Sequence, residues 1–537
     1  MKPDLDLLLR LLVDSLPRVL ALLDKNPYSK TYGSFDRKYW HYKIIDFSSG
    51  MQQELVLPLA YVWARPFEGN PYYQCDRLKD YIQGIFRFHL RLCHPDGSVD
   101  DYFPHERALG ATAYALAAAT EAALLTNLHT ASDVAAFERS GDFIASYRES
   151  GKLSNHLAIG IAALQNLYRL TQKDIWKQHA NRLAELLLAE QHAEGWFPEY
   201  EGCDLGYQTV TIEFLARAIS SGFDHPQLAT ALDAAVNFVR EFVHPDGSLG
   251  GEYGSRNTYN FYPGGFALLS PRSSAAREVL YSFFKGFKTG AANHLVDDGV
   301  FQHLLSSYVT TLLCPESRVE RWTGAEALPP AVRLFQGAQL FTIHTGALAA
   351  FGALSKGGVI KIFDGDRLIS SDTGYMARLT DGEVLCQNKA GNAAGVLLGN
   401  QLRVQGHLKA FRNKTLSRVA MIGLRGLSLL FGRFSLYSQA IRRLMQKVLI
   451  YDDEKASVMF SRTLTVGNGV IHVKDIVTNQ APCPIESLYR TTDAVNMHVV
   501  TSNSFQLANL LSWESIPVER NTQTYTMERV FSEASKD

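Results

Sequence analysis

The six cysteines of this 537-residue chain, Cys75, Cys93, Cys203, Cys314, Cys386 and Cys483, form no CxxC pair and no set with metal-ligand spacing. Scattered thiols in a chain of this size are expected to be reduced core residues, not a disulfide framework. Neither sign of charge is in excess: 53 Lys+Arg against 54 Asp+Glu leave a formal net charge of −1. That balance argues against a general nucleic-acid binder. No stretch of about 18 uncharged apolar residues occurs, so no membrane-spanning helix is expected. The leucine-rich start, "MKPDLDLLLRLLVDSLPRVLALLDKNPYSK", is interrupted by Asp4, Asp6, Arg10, Asp14, Arg18 and Asp24. A signal peptide needs an uncharged centre and a small-residue cleavage site, so a cytoplasmic address is the expectation. What is present is a globular composition, 46% hydrophobic and 20% charged, in a chain with room for two or three domains.

Three loops resemble one another: "HPDGSVDDYF" (94–103), "HAEGWFPEY" (192–200) and "HPDGSLGGEY" (244–253). Taking a glycine at each comparable junction gives Gly50, Gly97, Gly151, Gly195, Gly247 and Gly299, spaced 44 to 54 residues apart. A period near fifty signals an array of supersecondary units. Before the glycine comes an amphipathic helix, such as 173–191, where Trp176, Ala180, Leu183 and Leu187 recur along one stripe. After it comes a uniformly apolar helix, such as "GATAYALAAATEAALL" (110–125), which must be surrounded by protein. Six alternations of outer and inner helix predict a closed (α/α)6 toroid over residues 1–330. An open solenoid of helix pairs is the alternative.

Beyond "LPPAVRLF" (328–335) the helical period gives way to alternation and β-branched residues. Segments 357–363, 456–466, 469–477 and 522–531 read as strands, and residues 331–537 as an antiparallel β-sandwich. Within it, "LSRVAMIGLRGLSLLFGRFSLYSQAIRRLMQKVLI" (416–450) has a helical pattern. Asp and Glu are absent from 384 to 451, while Lys389, Arg403, Lys409, Arg412, Lys414, Arg418, Arg425, Arg433, Arg442, Arg443 and Lys447 fall inside that span. This basic helical insertion, at about 416–447, suits peripheral contact with a membrane or an anionic polymer. Covering one sandwich face, with its arginines in water, is the other reading.

Helix N-termini on one rim of such a toroid would surround a cavity and favour anions. "KLSNHLAIG" (152–160) places Asn155 and His156 at the start of the third inner helix. Alone, such a pair reads as a helix cap with a polar neighbour. The same rim, however, receives Tyr200, Asp204, Tyr207 and Gln208 from the fourth unit, and Glu252, Tyr253, Arg256, Asn257 and Tyr259 from the fifth. The second unit adds His105 and Arg107. So many polar and aromatic residues between helices point to binding or catalysis.

This arrangement resembles the heparinase II/III-like polysaccharide lyases, including related alginate lyases, over nearly the whole chain. "SNH" (154–156) matches that family's Asn-His pair, and Tyr207, 52 residues after Asn155, matches its tyrosine. "IHTGALAAFGALSKGGVIKIFDGDRLISSDTGY" (343–375) resembles the first sandwich strands, which ordinarily carry an HxHxD-like motif. Here His344 stands alone, with Gly346 in the acid's place. No metal set and no cofactor are therefore expected, and His344 enters the catalytic candidates through the resemblance alone. The implied partner is an anionic polysaccharide or oligosaccharide.

The resemblance implies β-elimination, in which a base removes the proton α to a uronate carboxylate and the glycosidic oxygen leaves. Charge then grows on the carboxylate and asks for preorganised donors, for which Asn155 and Arg256 are suited. His156 is the expected base, because imidazole ordinarily titrates near working pH. Tyr207 would protonate the leaving oxygen, or act as base for the other epimer, with Tyr253 as its substitute. His105, Arg107, Tyr200, Gln208, Glu252, Asn257 and Tyr259 would bind substrate. A glycoside hydrolase on the same toroid would instead need two flanking carboxylates, for which Asp100, Glu199, Asp204, Glu213 and Glu252 are available. A non-catalytic polysaccharide-binding or assembly protein of exopolysaccharide production is the third reading.

Overall fold

The computed structural model describes residues 2–146, 151–200, 202–292, 295, 299–314, 331–346, 348–388, 393–411, 417–432, 434, 437, 440–441, 455–493, 512–519 and 522–533. The first half is helical. Helices α1 (Lys2–Leu22) and α2 (Arg37–Trp40) precede a 3₁₀ turn (Met51–Leu55) that runs into α3 (Val56–Ala64). Then come α4 (Asp76–Leu92), α5 (Leu109–Thr126), α6 (Ala131–Ser146), α7 (Ser154–Thr171) and α8 (Asp174–Leu188). The series ends with α9 (Leu205–Ser220), α10 (Leu228–Arg240), α11 (Gly264–Leu269), α12 (Ser274–Thr289) and α13 (Phe301–Leu313).

Helices α3, α5, α7, α9, α11 and α13 each pack against the next, and α13 returns to α3. Outside them α4, α6, α8, α10 and α12 follow one another in the same order, and α1 packs on α3 and α13. Composition explains the two layers. α5 is long and apolar enough to cross a membrane, yet 83% of it is buried inside the protein. Its hydroxyls need no outside partner: Thr112 and Thr120 donate to the carbonyls of Ala108 and Leu116, four residues back. α8, by contrast, buries one stripe of Trp176, Ala180, Leu183, Ala184 and Leu187 and gives the rest to water.

The three similar loops share one set of bonds. His94, His192 and His244 donate their N–H to the carbonyls of Ser98, Trp196 and Ser248, and Gly97, Gly195 and Gly247 donate back to the three histidine carbonyls. Gly247 shows why glycine is needed: its φ is +85°, and a Cβ there would run into the backbone of Ser282 and Gly286 on α12. Each loop thus seats its glycine on an outer helix. Gly50 differs, with φ −68° and its N–H on the Asp100 carbonyl. Gly151 and Gly299 border residues outside the described ones.

The second half is antiparallel sheet. β1 (Ala331–Phe335), β2 (Leu340–His344), β3 (Leu348–Ala353), β4 (Val359–Asp364) and β5 (Arg367–Asp372) form one sheet in chain order. The other contains β6 (Gly374–Leu379), β7 (Val384–Cys386), β8 (Ala393–Leu398), β9 (Gln401–Ala410) and β10 (Lys455–Gly467). It is completed by β11 (Val470–Asn479), β12 (Ile485–Thr491), β13 (Glu514–Ile516) and β14 (Thr524–Phe531). The order is β13-β12-β6-β7-β9-β10-β11-β14, with β8 paired to β9. The expected strands at 357–363, 456–466, 469–477 and 522–531 fall on β4, β10, β11 and β14.

The first sheet is a middle layer. Phe341, Ile343, Ala350, Ile360 and Ile362 pack with Tyr375, Leu402, Val458 and Val473 of the second sheet. Their alternates Leu340, Ala349, Phe351, Val359 and Phe363 join the core of the helical half. Period-2 geometry sends successive residues to opposite faces, so strands covered on both faces lose their hydrophobic alternation. A buried ion cluster pins the two sheets. Arg462 of β10 binds Asp475 of β11 at 2.7 Å and Asp372 of β5 at 2.9 Å. Arg529 of β14 reaches both carboxylates, and the two arginines hold the Asp372 carboxyl well below its usual range despite burial.

Of the expected basic insertion, residues 418–431 form α14 (Arg418–Phe431), capped by the Ser417 hydroxyl on Ala420 N. Arg433, Arg442, Arg443 and Lys447 lie outside the described residues. α14 keeps Arg418 in water. It touches the helical half: Arg425 bonds Asp46 at 2.7 Å, and Gly432 abuts the His105 ring.

Candidate functional site

Four consecutive loops, each leading into an inner helix, meet on one side of the helical half. The loop before α7 is laced to the loop before α9. Ser154 Oγ donates to Pro198 O at 2.7 Å, Leu153 and Glu199 form a β-bridge, and Tyr200 N donates to Lys152 O at 2.6 Å. The loop before α9 is laced to the next through Asp204. This carboxylate, the N-cap of α9, accepts from Tyr207 N, Arg256 N, Thr258 N and the Thr258 hydroxyl. Four donors on one buried carboxylate fix the 256–258 turn against the helix start. The first turn of α5 closes the series, for the His156 ring fills the space where a Cβ of Gly110 would stand.

Polar atoms without partners mark this junction. Asn155 is buried in the first turn of α7, and its Oδ1 has no hydrogen-bond partner among the described residues. Arg256 is buried with its guanidinium over the Tyr200 ring at 4.1 Å, and its Nε is likewise unpartnered. Asn260 Oδ1, on the same loop, is a third. Buried polar groups normally find partners, and a cluster of exceptions has the character of a binding site. Tyr207 is half-buried with Arg256, Glu199, Tyr102 and Tyr200 around it. Desolvation pushes its hydroxyl well above the ordinary value, and Arg256 opposes that rise. The phenol therefore keeps its proton at neutral pH.

Other candidates have partners elsewhere. Gln208 accepts from Phe197 N at 2.9 Å and so shapes the loop before α9. Tyr253 is buried with its hydroxyl on His244 Nε2 at 2.8 Å. Glu252 and Tyr259 form a buried triad with Lys361 of β4: Tyr259 donates to Glu252, and Lys361 lies 2.9 Å from Glu252 and 3.0 Å from the phenol. Burial alone would raise the Glu252 carboxyl, but Lys361 and the phenol outweigh it and hold it low. Arg107 reaches back to Asp96, whereas His105 stacks on His94 at 5.3 Å with φ +60°. His344 sits among Glu241, Arg333 and Phe351, and burial depresses its imidazole pKa.

Lys356 escaped the sequence reading, as did a second group apart from Glu213, which was named there only as an available carboxylate. Lys356, in the β3–β4 hairpin, enters the helical half, where its ammonium bonds the Gly254 carbonyl at 2.9 Å and the Asn257 side chain. Burial lowers its pKa to about 8, against the pull of Asp204 and Glu252. The signal available was a lone lysine before a Gly-Gly pair within buried strands. The second group lies among the inner helices. Glu54 pairs with His303, and burial pushes the Glu213 carboxyl up to about 7 although Arg217 and Ser307 hold it. Tyr114 and Tyr262 are buried near both glutamates and Tyr207.

No family model and no curated protein matches the chain. Solved structures do. A xanthan lyase from Paenibacillus superposes with a TM-score of 0.55 at 10% identity over 91% of this chain, which spans about half (46%) of that protein. Heparinase III gives 0.48 at 10% identity, with 90% of this chain and 75% of that one covered. Chondroitinase AC lyase gives 0.42 at 11% identity, covering 83% and 61%. The chain thus shares its fold with the xanthan lyase.

Proposed function

We propose that the protein is a polysaccharide lyase that cleaves an anionic, uronate-containing chain by β-elimination, on an (α/α)6 toroid followed by a β-sandwich. The observation that supports this reading is that the loops carrying Asn155, Tyr207 and Arg256 are laced to one another, with an unpartnered donor, Nε, on the buried Arg256. The Asn155 amide and the Arg256 guanidinium would bind the substrate carboxylate, where charge grows as the α-proton leaves. His156, the neighbour of Asn155, would take that proton. Tyr207, kept protonated by its surroundings, would hand its own to the departing glycosidic oxygen. Lys356 and Asp204 would hold the Arg256 loop in place. Asn155, His156, Tyr207 and Arg256 are the proposed catalytic set, with Tyr200, His105 and Asn257 lining the approach.

The deciding experiment incubates the protein with a panel of uronate polymers and follows the ultraviolet absorbance of an unsaturated uronate. Appearance of that chromophore with chain shortening is the expected result. One observation favours a second reading: the Glu213 carboxyl near 7 has the character of a hydrolase's general acid. New reducing ends without the chromophore would select that reading, and binding without cleavage a non-catalytic polysaccharide-binding role.

A further inference from the structure

Helix α14 turns its apolar side outward. Its inward side is narrow and partly polar: Arg425 pairs with Asp46, Ser428 bonds the Tyr437 hydroxyl at 2.9 Å, and Gly432 rests on His105. Its large apolar residues face water instead, with Val419 79%, Ile422 74%, Leu429 80% and Leu430 66% exposed. At about 100° per residue these four fall on one side of the helix. Gly423 and Gly426 lie between them, and a Cβ at either would stand in open space. A surface helix of a protein that meets only water shows the reverse arrangement.

Charge indicates what meets this face. No acidic residue occurs from 384 to 451, while eleven Lys and Arg do. An apolar helical face with Arg418 exposed at its start, inside a stretch of sequence whose charges are all positive, fits an anionic lipid surface, which takes the side chains at headgroup depth and the charges at its phosphates. A second copy of the same face would set like charge against like charge. We propose that α14 docks the protein on an anionic lipid surface, with Val419, Ile422, Leu429 and Leu430 inserted. Because Gly432 rests on His105, this docking holds the 100–107 loop, one of the four at the candidate site, beside the bilayer. The proposal does not depend on the lyase reading.

Flotation of the full chain with vesicles tests it. The protein should float with mixed phosphatidylcholine–phosphatidylglycerol vesicles but not with phosphatidylcholine alone. Binding should weaken as salt rises from about 0.1 M to about 1 M, over which the screening length shrinks from about 10 Å to about 3 Å. The double variant Ile422→Asp, Leu429→Asp should bind at least about tenfold more weakly, since each lost apolar insertion alone approaches that factor. Its melting temperature and oligomeric state should match those of the parent. Absence of flotation with anionic vesicles at low salt would overturn the proposal, as would equal flotation of the variant. A lower melting temperature in the variant would show the face to be packed within the chain. A parent dimer that the variant turns into a monomer would show that the face meets a second copy.

Discussion

The Arg256 guanidinium lies over the Tyr200 ring at 4.1 Å, and the backbone N–H of the same arginine is held by Asp204 at 2.9 Å. A planar cation stacked on an aromatic ring loses little freedom on meeting a carboxylate, since its orientation is already set. Arg256→Ala should lower turnover by about a hundred- to a thousandfold, the scale of removing one preorganised donor. Initial rates of unsaturated-uronate formation measure this. A variant that keeps its rate takes Arg256 out of the site.

Asn155 separates activity from stability. Its buried Oδ1 has no partner, and an unmet polar group in the interior costs folding energy of about 1–3 kcal/mol. Asn155→Ala should therefore lower turnover by about a hundredfold while leaving the melting temperature unchanged or higher. His156→Ala should cost a similar factor as loss of the base, again with the fold intact. An unfolded His156→Ala protein would identify that ring as a packing element between α5 and α7.

Lys356 gives a pH signature. Its folded pKa of about 8 lies below the ordinary 10.5, so below pH 8 both states carry the proton and burial weighs against the folded one. Between about 8 and 10.5 the unfolded chain holds a proton that the folded chain has released. Stability should therefore rise with pH across this window, by about 2–3 kcal/mol. Urea unfolding of the parent and of Lys356→Met at both ends of the window isolates the effect. Parallel curves for the two proteins would show that Lys356 stays charged in the fold.

Gly247 tests the repeat. Alanine at φ +85°, with its Cβ in the backbone of Ser282 and Gly286, combines backbone strain with overpacking, for a loss of about 2–4 kcal/mol. Thermal or urea melting of Gly247→Ala measures it. An unchanged melting point would mean that the loop can move off α12.

The repeat could be read in sequence because its tight turns need glycine and its two helix types differ in composition. Strands β10 and β11 could be read because they alternate, whereas β3 and β4 could not be split by face, being covered on both. The polarity of Asn155 and Tyr207 at helix starts and of Arg256 in the loop before α11 was legible. What sequence could not supply was the partner of each group. Tyr253, Glu252 and Tyr259 carry the same polar signature as Arg256, yet His244 and Lys361 satisfy them from across the fold. Lys356 had no motif at all, since its role exists only because the first sheet lies against the helical half. Polarity in a sequence marks a need for hydrogen bonds; which surface meets the need is decided by tertiary packing.

The return of α13 to α3, with α1 packed on both, has a consequence for synthesis. Leu8, Leu12, Leu16 and Val19 of α1 belong to the common core of the helical half, but part of their cover is made some 280 residues later. At ribosomal speeds of about 5–20 residues per second, those leucines wait on the order of tens of seconds for the helix that shields them. Local helix pairs can form during that interval, but the closing contact spans nearly the whole segment and must come last. A nascent chain in this state offers chaperones a leucine-rich amphipathic helix. The helical half should therefore fold with a slow, late step that restores α1, detectable as the last amides to gain protection against hydrogen exchange.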